Sequence, residues 1–129
     1  MTAKYSGPAF VDRFGPWAVI AGGSDGIGAA YAREAARRGL NVALIARRLQ
    51  PLQDFADELA EEHGTQTLAI QADLTDPNAV SSIAAATDDL DVGLFVYNAG
   101  SSRGAGHFLD HPVEDALFLV ELSCRGPVL

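Results

Sequence analysis

The chain holds a single cysteine, Cys124, and a single lysine, Lys4. A lone cysteine cannot close an internal disulfide, so the expectation is a reduced, cytoplasmic chain in which Cys124 is a buried, inert thiol. Basic side chains are scarce as a class. Nine Lys and Arg stand against 17 Asp and Glu, a formal net charge of -8, and an acidic surface repels phosphate backbones, which argues against a nucleic-acid partner. Long hydrophobic runs are missing too: the uncharged stretch Trp17–Ser24 is far shorter than the roughly 20 residues of a membrane span. Residues 1–13 carry no apolar signal-peptide core, so neither a membrane nor secretion is expected. His63, His107 and His111 are too far apart for a local ligand pair and read as solvated loop or helix-end residues, with no metal site expected.

What is present is 129 residues with 48% hydrophobic side chains and 13 glycines, the make-up of one soluble domain. Residues 1–15 read as a Gly/Pro-punctuated lead-in. From there short apolar runs alternate with helical segments, the pattern of βαβ units in an α/β fold. Strands are expected at Trp17–Ala21, Asn41–Ala46, Thr67–Gln71 and Val92–Tyr97. The first helix runs from Ile27 to Arg38, with Ile27, Ala30, Tyr31, Ala35 and Arg38 at helical spacing and Gly39 as its stop. Leu52, Phe55 and Leu59 form one stripe of a second helix that carries Pro51 in its first turn and ends at His63-Gly64. Asp76-Pro77 opens a third helix as N-cap and first residue. The last begins near Pro112 and continues to the end of the chain.

The chemistry concentrates in Ala21-Gly22-Gly23-Ser24-Asp25-Gly26-Ile27-Gly28, between the first strand and the first helix. There the free N–H groups of a helix's first turn, with its dipole, favour a pyrophosphate, and glycines let the backbone touch it. The plainer alternative is a strand–helix connection that needs only a flexible turn. The spacing is Gly-x-x-x-Gly-x-Gly, and no Lys-Ser/Thr follows, which excludes a Walker loop. At the end of the second strand stand Ala46-Arg47-Arg48. An NAD site wants a carboxylate there for the ribose 2′-hydroxyl, an NADP site a cation for the 2′-phosphate. The two arginines therefore favour NADP(H) over NAD(H), and Asp25 in the glycine turn argues the other way. They also count against an S-adenosylmethionine-dependent methyltransferase, which wants an acid at that position.

Taken with three further segments, the turn resembles that of the short-chain dehydrogenase/reductase family. Asp73, in Ala72-Asp73-Leu74, matches the family's adenine-contacting aspartate. Asn98-Ala99-Gly100 matches its Asn-Asn-Ala-Gly motif, with Tyr97 in place of the first Asn, and Arg47 matches its NADP-selecting arginine. The run from Gly15 to Gly28 is similar to the steroid and long-chain 3-oxoacyl reductase branch. The resemblance implies a doubly wound parallel sheet of Rossmann type, incomplete, with about four strands in the order 3-2-1-4. It implies a cofactor site built from Gly22, Ser24, Asp25, Gly26, Ile27, Gly28, Arg47, Arg48, Asp73, Leu74, Asn98, Ala99 and Gly100.

Catalysis in that family uses a serine and a Tyr-x-x-x-Lys pair. Tyr5, Tyr31 and Tyr97 are followed four residues on by Ala9, Ala35 and Ser101. The family's catalytic asparagine corresponds to Ser123, which lacks the amide; Ser123 also fits as a small residue at a helix contact. The chain thus reads as the N-terminal portion of an NADP(H)-dependent oxidoreductase for a carbonyl or alcohol, not competent alone. The alternative is a non-catalytic nucleotide-binding or protein-interaction module. In the implied strand order the fourth strand is an exposed apolar edge, and the last helix is apolar around much of its circumference. Both features predict self-association or a missing C-terminal half.

Overall fold

The computed structural model describes residues 9–129; Lys4, Tyr5 and the first half of the lead-in lie outside the described residues. Four strands, β1 (Trp17–Ala21), β2 (Asn41–Ala46), β3 (Thr67–Gln71) and β4 (Val92–Tyr97), form one parallel sheet in the order β3-β2-β1-β4. The in-register pairs Ala21 with Ile45, Ile45 with Ile70, and Ala21 with Tyr97 bring all four C-terminal ends to one edge. Around the sheet stand α1 (Phe10–Phe14), α2 (Gly26–Arg37), α3 (Leu49–His63), α4 (Ala79–Thr87) and α5 (Val113–Val120).

Side chains alternate across the sheet, which splits the core into two layers. Ala18, Ile20, Val42 and Leu44 pack with Ala32, Ala35 and Ala36 of α2 and Leu52, Phe55 and Leu59 of α3. Val19, Ala21, Ala43, Ile45 and Ile70 face the other way, with Ala79 at the start of α4. Because β1 and β2 are covered on both faces, their sequences read as unbroken apolar runs. The outer strands are less covered, β3 with only Ile70 buried and β4 with no buried residue.

The helices depart from expectation in four places. The lead-in contains α1, whose Phe10 and Val11 pack on the first core layer while Arg38 lies 4.6 Å over the Phe10 ring. On α2 the buried face is the alanine face, and Ile27 and Tyr31 are exposed; small residues let the helix sit close to β1 and β2. The third helix begins at Ala79 instead of at Asp76, because the Asp76 carboxylate accepts the Asn78 N–H at 2.8 Å and closes a turn first. The last helix does not run on unbroken: α5 gives way to a π turn, Glu121–Arg125, and a 3-10 turn, Gly126–Val128.

Candidate nucleotide-binding site

Between β1 and β4 the strand order reverses, and in open parallel sheets the crevice beyond the strand ends at such a point is where ligands settle. A cleft of about 370 Å³ lies there. Ten of the residues singled out from the sequence line it: Gly22, Ser24 and Asp25 after β1, Arg47 and Arg48 after β2, Asp73 and Leu74 after β3, and Asn98, Ala99 and Gly100 after β4. Gly26, Ile27 and Gly28 do not line it.

Packing explains the turn's glycines. Gly22 has φ +77°, and a β-carbon there would come within 2.7 Å of Ala99 Cα. Gly28 is buried against the Gly22 carbonyl, where no β-carbon fits. The same junction is tied by Asn98, whose N–H donates to Ala21 O at 2.8 Å and whose side-chain amide donates to Gly22 O at 3.5 Å. So the β1 turn, the α2 start and the β4 turn are locked into one unit. At the head of α2, Asp25 accepts the Gly26 N–H with its carboxylate at 2.7 Å and the Ala29 N–H with its carbonyl at 3.2 Å. The first-turn N–H groups of Ile27 and Gly28 have no intrahelical acceptor, at the end of the helix that favours an anion, although neither residue lines the cleft.

The cations of the described chain are mostly spoken for. Arg33 pairs with Glu58 and Glu62, Arg37 and Arg38 with Glu34, Arg103 with Asp115, and Arg125 with Glu121. The side chains of Arg47 and Arg48 form no ion pair and share the cleft wall. Asp73 accepts from Thr75 N–H at 3.0 Å and from Thr75 Oγ1 at 2.7 Å. These bonds, the backbone one foremost, hold its carboxyl below the usual aspartate range, with the Arg47 charge adding to the effect.

Six wall residues were not assigned to the site from the sequence: Ile45, Ala46, Ala72, Phe118, Leu122 and Ser101, the last read as part of a polar loop. Phe118 and Leu122 are four apart on consecutive turns of α5 and the π turn, a helical spacing that an inward-facing stripe would have signalled. Ser123 is exposed and does not line the cleft, whereas its neighbour Leu122 does. Cys124 is exposed instead of buried, because the turn buries only Leu122. Of the histidines, His63 ends α3 with its side chain only 15% exposed, and the His111 ring lies 3.1 Å from Ala105 O. No group of His, Cys, Asp or Glu among the described residues could hold a metal ion.

The short chain dehydrogenase family model matches residues 16–129. The chain belongs to the short chain dehydrogenase family. Human 17-beta-hydroxysteroid dehydrogenase type 3 is 41% identical over 108 residues, which is 82% of this chain and 35% of the relative. A solved 7beta-hydroxysteroid dehydrogenase superposes with a TM-score of 0.86 at 29% identity, over 94% of this chain and 46% of that one. A short-chain dehydrogenase from Sphingobium yanoikuyae, solved in complex with NADPH, gives a TM-score of 0.77 at 33% identity, over 88% of this chain and 44% of that one. This short chain dehydrogenase sequence therefore spans about a third of the length of the curated relative and under half of each solved chain. No helix among its described residues is long and apolar enough to cross a membrane.

Proposed function

We propose that the chain is the NADP(H)-binding portion of an oxidoreductase acting on a carbonyl or alcohol. The adenosine 2′-phosphate lies on Arg47 and Arg48, Asp73 and Leu74 flank the adenine, and the pyrophosphate crosses the Gly22–Gly28 turn. The nicotinamide then reaches Asn98, Ala99 and Gly100. The observation that carries this reading is the pair of guanidinium groups on the cleft wall that form no ion pair among the described residues. A 2′-phosphate would meet them as a bidentate acceptor. The NADPH complex of the Sphingobium yanoikuyae relative supports the same choice.

Bound NADP(H) supplies or accepts the hydride; the protein's part is to hold and orient it. Relatives of similar identity include a hydroxysteroid dehydrogenase and a very-long-chain 3-oxoacyl-CoA reductase, which fit a carbonyl or alcohol substrate without singling out its class. The 129 residues contain no Tyr-x-x-x-Lys and have Ser123 at the family's asparagine position, so this chain is not competent for hydride transfer by itself. Its single domain supplies the cofactor half of the reaction. Calorimetric titration tests the reading: NADPH binds at least tenfold more tightly than NADH. Equal affinities would remove the role of the arginines, and no binding of either would remove the reading altogether.

A second reading is favoured by one feature. Phe95 on β4 and Val113, Leu117 and Val120 on α5 are more than half exposed, an apolar area of the kind that marks interaction surfaces. On this reading the chain is a nucleotide-binding module that docks a second copy of itself or the family's other half through β4 and α5.

A further inference from the structure

The break between α5 and the π turn has a chemical cause in three residues that the cofactor reading does not use. In an α-helix the Leu122 carbonyl would accept the N–H of Gly126. That N–H bonds Glu121 O instead, in the wider π register. The π-register donor for Leu122 O would be residue 127, which is Pro127 and has no N–H. The carbonyl is thus left without a helical partner, and a part-buried backbone acceptor needs one. Tyr97, the last residue of β4, supplies it: its hydroxyl donates to Leu122 O at 2.5 Å. Gly126 makes the room, since a β-carbon there would collide with the Tyr97 hydroxyl. Burial raises the pKa of the phenol, which keeps the donor proton in place.

We infer that Tyr97, Gly126 and Pro127 form a clasp that fixes the π turn to the end of β4 and so positions Phe118 and Leu122 on the cleft wall. This inference rests on the NADP(H) reading. Both side chains line the same cleft as the arginines, but Leu122 is held at the end of β4, next to Asn98, Ala99 and Gly100, the part assigned to the nicotinamide. Arg47 and Arg48 lie after β2, on the other side of β1 from β4. Tyr97 is therefore a positioning residue for one half of the ligand only.

The test uses two ligands on the intact chain: NADPH, which spans the cleft, and adenosine 2′,5′-bisphosphate, which occupies only the arginine side. Tyr97→Phe removes one oxygen and keeps the ring. A part-buried neutral hydrogen bond of this kind carries about a threefold to tenfold effect. The expected result is that loss in NADPH affinity with adenosine 2′,5′-bisphosphate affinity unchanged. Gly126→Ala gives the same pattern, and adding it to Tyr97→Phe costs less than it does alone, because the ring without its hydroxyl leaves space for the methyl group. Thermal unfolding of each variant is followed alongside. Equal loss of both ligands, loss of neither, or additive effects in the double variant would overturn the clasp. If the unaltered chain binds adenosine 2′,5′-bisphosphate and NADPH and only the variants misbehave, the cofactor reading survives that failure. If it binds neither, both fall.

Discussion

Gly28 lies directly beneath the carbonyl of Gly22, so close that no β-carbon fits between the two. The contact joins the first turn of α2 to the end of β1, and moving the helix away to admit a β-carbon would unpack Ala32, Ala35 and Ala36 of the same helix from the core. Gly28→Ala is expected to lower stability by about 1–3 kcal/mol, the usual cost of overfilling a packed site, and to weaken NADPH binding as the turn shifts. Urea unfolding reads the first effect and calorimetry the second; an unchanged midpoint would show that the helix can yield.

Arg47 and Arg48 are expected to discriminate between the two dinucleotides. A charge-assisted hydrogen bond to phosphate contributes about 1.5–3 kcal/mol. Arg47→Ala should therefore cost NADPH about tenfold to a hundredfold in affinity and leave NADH within a factor of two. Titrating both ligands against both proteins is decisive, and a parallel fall in NADH affinity would place Arg47 somewhere other than at the 2′-phosphate.

Asp25 occupies the N-cap of α2, with its carboxylate on Gly26 N–H. Its negative charge would compete with a pyrophosphate bound at the same helix end. Asparagine keeps the cap and drops the charge, and the charge effect at a helix end is about 0.3–1 kcal/mol. Asp25→Asn is thus expected to tighten NADPH binding by about twofold to fivefold at low ionic strength. The gain shrinks as salt is added, because the two charges are exposed to solvent.

The two central strands, β1 and β2, were legible in the sequence because they are buried on both faces, and β3 and β4 because they are short apolar runs that carry no competing helical period. The site was legible where a turn follows a strand: Gly22, Arg47, Asp73 and Asn98 each sit one or two positions past a strand end. Less visible was anything that depends on how a helix is rotated. Ile27 and Tyr31 look like an inward stripe, but close approach to β1 selects the alanines instead. Cys124 looks like a core thiol, but Leu122, two positions before it, is the residue turned inward. Tyr97 differs from the family pattern by one residue, and its partner lies 25 positions away, a distance that no local pattern reports.

Asp73 ties the loop after β3 through Thr75, and its lowered pKa makes that tie dependent on pH. A carboxylate whose folded pKa is below its unfolded value contributes stability above the unfolded pKa and loses it as pH falls through the folded one. Stability is therefore expected to decline as pH drops below about 4, the ordinary aspartate range, and Asp73→Asn should flatten that part of the profile. Unfolding measured from pH 6 downward in both proteins tests this; parallel profiles would assign the acid sensitivity to other groups, such as Glu34, whose pKa is lowered to about 2 by hydrogen bonds from Arg37 and Arg38.

The open edge of β4 and the outer face of α5 should govern association. Phe95 is 56% exposed on the edge strand, and Leu117 and Val120 are 58% and 51% exposed on the helix. An unpaired strand edge next to apolar side chains recruits another chain, and each large aliphatic group covered contributes about 1.5–3 kcal/mol. Leu117→Lys together with Val120→Glu should raise the dissociation constant for self-association by tenfold or more, while Arg47 and the cofactor site remain intact. Sedimentation velocity across a concentration series measures the shift, with NADPH titration of the same samples as the control. If the unaltered chain sediments as a monomer throughout, this surface does not bind a second copy, and the family's other half remains the partner to test against it.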